Sequence, residues 1–282
     1  MIKMRAHAKI NLSLDVISKR PDGYHNLSMI MQSIRLSDEL ILRPCPEIRI
    51  QNDLHFLPAD EKNIAFRAAR LFFDTIGSQD GISIEIKKHI PVGGGLGGGS
   101  ADAAAVLMGL NRMYGYPLSF EKLLELGLRC GADVPFCMTG GTCLAEGLGE
   151  KLTPLPALPS CNILLLRPRF PLSTKRMFSL VDVSAIPHHP DMQGMINALQ
   201  NRNMTGILNG MFNSLESLVP RPEIREYKKL LLEEGADASL MTGSGSVVYG
   251  IFLSDEKAKK AKEKFARMGL RPCLTAPTAT IF

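Results

Sequence analysis

Between residues 91 and 104 the chain reads Pro91-Val-Gly-Gly-Gly-Leu-Gly-Gly-Gly-Ser-Ala-Asp-Ala-Ala. Six glycines fall in seven positions: Gly93, Gly94, Gly95, Gly97, Gly98 and Gly99, with Leu96 between the triplets. Such a run leaves backbone N–H groups unobstructed and permits positive φ. Before it, Gly81–Ile90 alternates with Ile82, Ile84 and Ile86 on one face, the period of a strand. After it, Ala101–Met113 carries Ala103, Val106, Leu107 and Leu110 at helical spacing. Strand, glycine loop and helix start in that order make an anion nest, where free N–H groups and the positive end of the helix converge. A floppy loop or a simple turn would not need that order.

Two familiar phosphate loops fit poorly. A Walker A loop ends in Gly-Lys-Ser/Thr, and here Ser100-Ala101 follows the glycines with no lysine. Gly93, Gly95 and Gly98 satisfy the dinucleotide pattern Gly-x-Gly-x-x-Gly, but six glycines in seven make the match cheap. That reading also asks for a first βα unit and an acid about twenty residues on. The loop lies a third of the way along the chain, and the surroundings of Met113 hold no acid.

The remaining pattern is α/β. Residues 8–16 alternate, Ile10, Leu12, Leu14 and Val16 against Lys9, Asn11, Ser13 and Asp15, which predicts a half-buried strand with Lys9 and Asn11 on its polar face. Pro21-Asp22-Gly23 is a turn that delivers Tyr24 and His25 to strands near 27–36 and 38–43. Asn63 reads as the N-cap of a helix over 64–75, and Ser119–Cys130 as a further helix closed by Gly131. Leu152–Ser160 holds Pro154, Pro156 and Pro159 and little periodicity, so it reads as a linker. The expected division is therefore 1–153 and 160–282. In the second part come a strand at 162–167, a short helix capped by Ser173 and containing Phe178, and helices to about 234. Two strands follow about Thr242-Gly-Ser-Gly-Ser246, then a helix over 255–267 and a last strand near 271–281. Strand–helix–strand–strand–helix–strand is a ferredoxin-like order with insertions.

Composition narrows the function classes. A formal charge of +5 is mild and has no run of five or more basic residues, and Trp is absent, so nucleic-acid binding finds no support. The six cysteines make no Cys-x-x-Cys pair and the six histidines no His-x3-His spacing, which predicts no Cys/His metal site and reduced thiols in the cytoplasm. No stretch of eighteen apolar residues occurs, so no membrane partner is expected.

Lys9 alone is a strand lysine, and Asp133 in Gly131-Ala-Asp-Val-Pro-Phe136 alone is a turn aspartate. Together with Ala8-Lys-Ile-Asn-Leu12, Gly23-Tyr-His25, the glycine loop and Thr242-Gly-Ser-Gly-Ser246, they stand in an order that resembles the GHMP kinases over nearly the whole chain. The doubled glycine triplet and the Ala-Lys-Ile-Asn start are similar to the branch acting on a cytidine-diphosphate sugar alcohol in non-mevalonate isoprenoid synthesis. The resemblance implies an N-terminal domain of ribosomal-protein-S5-domain-2 type, a ferredoxin-like C-terminal domain, and a site between them.

It further implies Asp133 as the base toward the substrate's 2-hydroxyl and Lys9 beside it, stabilising charge around the transferring phosphoryl group. Pro91, Gly93, Gly94, Gly95, Leu96, Gly97, Gly98, Gly99 and Ser100 would cradle the phosphates of ATP, with Mg2+ accompanying it and Asn63 near the adenine. Asn11, Tyr24, His25 and Phe178 would hold the cytidine end, the rings of Tyr24 and Phe178 against the base. A monomer or homodimer is expected. Ala101, Ser214 and Thr242 depart from the family's usual Ser, Asp and Ser. The rival expectations are another GHMP kinase of homoserine or mevalonate type, a non-catalytic nucleotide sensor of the same fold, and a nicotinamide-dependent oxidoreductase. Tyr24, His25 and Phe178 argue against the first, because those substrates carry no base to stack. The presence of both Lys9 and Asp133 argues against the second.

Overall fold

The computed structural model describes residues 1–280 apart from Pro171, Pro187 and Pro220. In chain order the first half runs β1 (Ile2–Lys19), β2 (His25–Cys45), β3 (Arg49–Asn52), α1 (Ile64–Ile76), β4 (Gly81–Lys87), α2 (Gly98–Met113), α3 (Phe120–Cys130), α4 (Val134–Thr139), β5 (Thr142–Gly147) and β6 (Lys151–Leu155). The second half runs β7 (Asn162–Leu166), α5 (Thr174–Ser179), α6 (Met192–Gln200), α7 (Met204–Asn209), β8 (Phe212–Asn213), α8 (Pro222–Glu233), β9 (Ala238–Met241), β10 (Val248–Phe252), α9 (Asp255–Arg267) and β11 (Cys273–Thr275).

Two long strands set the first sheet. β1 pairs antiparallel with β2 along most of its length, and β2 is long enough to take β5 beside its first half and β4 beside its second. The two strands expected at 27–36 and 38–43 are thus one strand. Helices α1, α2 and α4 pack on the sheet, and α3 packs on the other three helices. α2 is buried along most of its length because alanines fill its faces and let it lie close between neighbours. The second sheet has the order β11-β7-β10-β9, all antiparallel. With α8 and α9 it completes the expected ferredoxin-like order, and α5–α7 and β8 are the insertion. The mixed α/β fold expected from the residues is the one observed.

Three local expectations need correction. The 152–160 linker begins inside β6, where Lys151–Leu155 pairs with β5 as an edge strand that tolerates Pro154. The final strand is only Cys273–Thr275, and position 281 lies outside the described residues. Most consequential, β1 is not half-buried: Lys9, Asn11, Ser13 and Asp15 are as buried as the apolar side. The second half covers them. β8 joins the first sheet in parallel beside Ser13 and Leu14, and the Thr242–Ser246 turn reaches Asn11. The tail beyond β11 also runs along β2, where Arg35 N–H donates to Ala276 O at 2.9 Å and Thr278 N–H to Ser33 O at 3.0 Å.

Candidate active site

A row of buried polar side chains must find partners, or burial costs on the order of 1–3 kcal/mol for each orphaned group. The partners found by β1 outline the site. The Lys9 ammonium donates to Asn11 Oδ1 at 2.9 Å and lies 3.4 Å from Asp133 Oδ2. Asn11 is fixed on every side: its N–H donates to Thr242 Oγ1 at 3.1 Å, and its carbonyl accepts from the Tyr249 hydroxyl at 2.8 Å. Irregularities in the β1–β2 register fall between His7 and Lys9 and between Asn11 and Ser13, one on each side of this pair. Bulges of this kind re-aim side chains near functional sites.

Asp133 comes from a different element. It is the N-cap of α4, yet its side chain makes no capping bond, and Pro135 sits in the first turn. The carboxylate is left free to face Lys9, and it is about one-third exposed (32%), whereas Lys9 is at 6%. The sequence reading missed α4, because six residues are too few to show a period.

The glycine loop closes over this pair. Lys9 N–H donates to Leu96 O at 3.0 Å, tying β1 to the loop's centre. Gly97 is the N-cap of α2 with φ 69°, so the helix starts at Gly98, three residues earlier than the alanine pattern suggested. A Cβ at Gly97 would lie 3.0 Å from Lys9 Cγ and 3.8 Å from Asp133 Oδ2. On its other side the loop meets the second half: Val247 N–H donates to Gly94 O at 3.2 Å, and the Arg167 guanidinium to Val92 O at 2.9 Å.

One cavity of about 540 Å³ unites these groups. Lys9, Asn63, Pro91, Gly93–Ser100, Asp133 and Phe178 line it, together with Leu57, Pro58, Ile64, Lys88, Asp102 and Gly243, which the sequence reading did not assign. Asn63 caps α1 by accepting from Ala65 N–H at 3.0 Å and donates to Pro58 O at 2.8 Å, so it shapes the wall as well as lining it. Asn11 reaches the cavity through Lys9. His25 reaches it through Phe178: their rings stack 5.8 Å apart at 30°. His25 is buried with Nε2 unpartnered, and burial first, then nearby Lys19, lowers its pKa. Tyr24 is not among the lining residues. It stands 64% exposed on the turn, with its N–H donated to Asp22 Oδ1.

The departures are accommodated. Ala101 is buried in the inward face of α2. Thr242 uses its hydroxyl as the acceptor for Asn11. Ser214 donates to Asp15 Oδ1 at 2.7 Å, while His189 holds the same carboxylate from outside at 2.9 Å. A carboxylate at 214 would face a buried carboxylate.

Comparison with known proteins matches residues 63–141 to the GHMP kinases N terminal domain and residues 195–270 to the GHMP kinases C terminal domain. A 4-diphosphocytidyl-2-C-methyl-D-erythritol kinase of Lachnoclostridium phytofermentans is 44% identical over 93% of this chain and 91% of its own. The chain belongs to the GHMP kinases. A kinase of the same name from Clostridium acetobutylicum is 44% identical over 92% of this chain and 94% of its own. Among solved structures, this GHMP kinase superposes on a 4-(cytidine 5'-diphospho)-2C-methyl-D-erythritol kinase with a TM-score of 0.83 at 30% identity, covering 99% and 100% of the two chains. The homoserine kinase of Cytophaga hutchinsonii, at 23% identity and a TM-score of 0.75 over 99% and 94%, shares the fold.

Proposed function

We propose that this GHMP kinase transfers the γ-phosphoryl group of ATP to the 2-hydroxyl of 4-diphosphocytidyl-2-C-methyl-D-erythritol, in the synthesis of isoprenoid precursors. The carrying observation is that the Lys9–Asp133 pair sits directly under Gly97 in the same cavity that Phe178 lines, with His25 stacked against Phe178. Phosphoryl transfer asks mainly for positioning and charge stabilisation. The loop Gly93–Ser100 and the start of α2 offer N–H groups to the phosphates. Asp133 accepts the proton of the attacking hydroxyl, and the Lys9 ammonium, held by Asn11, stabilises the charge that builds on the phosphoryl oxygens. The wall around Asn63, Pro58 and Leu57 takes the adenine.

The cytosine lies against Phe178 and His25, and the exposed Tyr24 ring is available to close on it. A neutral imidazole has one donor and one acceptor nitrogen, which suits a base edge carrying both roles. Among the described residues no three carboxylates, imidazoles or thiols gather as a metal cluster. The donor set suits a Mg2+ ion that arrives with the triphosphate, keeping phosphate and water oxygens as most of its ligands. Of the two carboxylates lining the cavity, Asp133 and Asp102, the more exposed Asp133 is the one that would meet it. When bound, such an ion neutralises charge on the β- and γ-oxygens.

Residues 1–153 serve as the ATP-binding domain and 160–282 as a second domain that completes the substrate site. Six free cysteines suit a reducing cytoplasm. The test is phosphate transfer from ATP to three acceptors: the cytidine-diphosphate methylerythritol, homoserine and mevalonate. The proposal expects transfer to the first alone; a preference for either of the others removes the cytidine assignment.

A further inference from the structure

Behind the glycine loop lies a buried cluster that the chemistry above does not use. Lys88 leaves β4 just ahead of the loop, and its ammonium is paired with Asp38 on β2 and, at 2.6 Å, with Asp102 on α2. All three side chains are at least nine-tenths buried. Asp38 uses its second oxygen on the backbone: Oδ1 accepts from His89 N–H at 2.6 Å and Ile90 N–H at 2.8 Å. The strand that enters the loop is therefore held by Asp38, the helix that leaves it by Asp102, and Lys88 joins the two carboxylates. The Lys88 ammonium lies directly behind the loop, 3.4 Å from where a Cβ on Gly98 would stand. Lys88 and Asp102 both line the cavity.

The cluster sets two carboxyl groups against one ammonium, and burial holds the Asp102 proton well above the usual carboxylate range. Lys88 and Asp38 would already make a satisfied pair. Asp102 adds a second buried carboxylate whose Oδ1 has no hydrogen-bond partner. A buried group left so poorly compensated weakens the fold. That cost points to a role other than stabilising the fold. We infer that Lys88 and Asp102 are positioning residues for phosphate binding, a clasp across the base of the loop that sets the first turn of α2 against the segment Lys88–Pro91 and so aims the loop's N–H groups into the cavity. With the clasp open, the loop still closes over Lys9 but its donors no longer converge. Binding of the phosphates suffers while binding of the nucleoside does not.

The inference rests on the reading of the loop as the phosphate site of ATP, and the experiment separates the two. Adenosine and ADP are titrated by calorimetry into the wild type, Asp102→Leu and Asp102→Asn, and the melting temperature of each is measured. Leucine keeps the branched outline with the same number of side-chain heavy atoms and severs the link to Lys88; asparagine keeps a carbonyl oxygen for the ammonium. The expected result for Asp102→Leu is ADP affinity about tenfold weaker, roughly the loss of one charge-assisted hydrogen bond. Adenosine affinity stays unchanged and the melting temperature is no lower than that of the wild type. Asp102→Asn stays near wild type for both ligands. Unchanged ADP affinity in Asp102→Leu overturns the inference. So does a leucine variant that fails to fold, or one that loses adenosine and ADP in equal proportion, since each marks Asp102 as merely structural. A wild type that binds adenosine but gains nothing from the phosphates of ADP removes the loop reading itself, and the clasp with it.

Discussion

The ring of Phe178, on α5, stacks on the imidazole of His25, at the start of β2, with centroids 5.8 Å apart and planes 30° apart. The contact joins the second half of the chain to the first at the edge of the cavity that holds Lys9 and Asp133. Tyr24 and Phe178 are the rings expected against the base; His25 stacks on Phe178, and Tyr24 stands exposed on the turn next to it.

Stacking a base on an aromatic ring contributes about 1–3 kcal/mol by alanine substitution. Phe178→Ala should therefore raise the KM for the cytidine substrate roughly tenfold or more, with a smaller effect on kcat and almost none on the KM for ATP. A core phenylalanine truncated to alanine costs about 3–5 kcal/mol; Phe178, partly buried, should cost much less in a thermal melt. An early melt with an unchanged cytidine KM would make the residue core. If Tyr24→Ala also leaves that KM alone, the broader GHMP kinase assignment stands and the cytidine reading goes.

Gly97→Val should abolish nucleotide binding. The position has φ 69°, and a side chain there would press on Lys9 Cγ at 3.0 Å, so valine both strains the N-cap and displaces the lysine. ADP titration with a circular-dichroism check of folding measures it. Normal ADP affinity in a folded variant would show that the loop is not the phosphate site.

Asp102 gives a pH dependence of stability with a definite sign. Burial, opposed by Lys88 and reinforced by Asp38, pushes its carboxyl up to about 8. The same group in the unfolded chain titrates near 4. The folded state thus binds the proton more tightly, and the contribution is fully present below about pH 4 and lost as pH rises through about 8. Asp102→Asn has no proton to lose. Its melting temperature relative to the wild type should climb between about pH 5 and about pH 8.5. A constant difference across that range would mean that Asp102 does not titrate there.

The parts of this site that were legible in the sequence share a local cause. The glycine loop, the alternation of β1 and the Asn63 cap are each written within a dozen residues, where spacing and backbone chemistry suffice. The parts that were not legible depend on contacts far apart in the chain. Nothing local says that the polar face of β1 is covered by β8 and the Thr242–Ser246 turn, or that Lys88 meets Asp38 and Asp102 across fifty and fourteen positions. Lys87–Lys88–His89 read only as a small basic spot. α4 and β8 were too short to show a period, and Pro154 disguised β6 as linker.

The central claim is that Asp133, beside Lys9 and beneath Gly97, takes the proton from the substrate hydroxyl. Asp133→Asn keeps the shape of the site and removes the acceptor. The direct measurement is kcat for phosphate transfer from ATP to the cytidine-diphosphate methylerythritol, taken alongside the ATP affinity of the same variant. The account predicts that kcat falls by roughly 10²–10⁴, the usual range for a general base, while ATP binding is nearly unchanged. Turnover at the wild-type level in Asp133→Asn would contradict it.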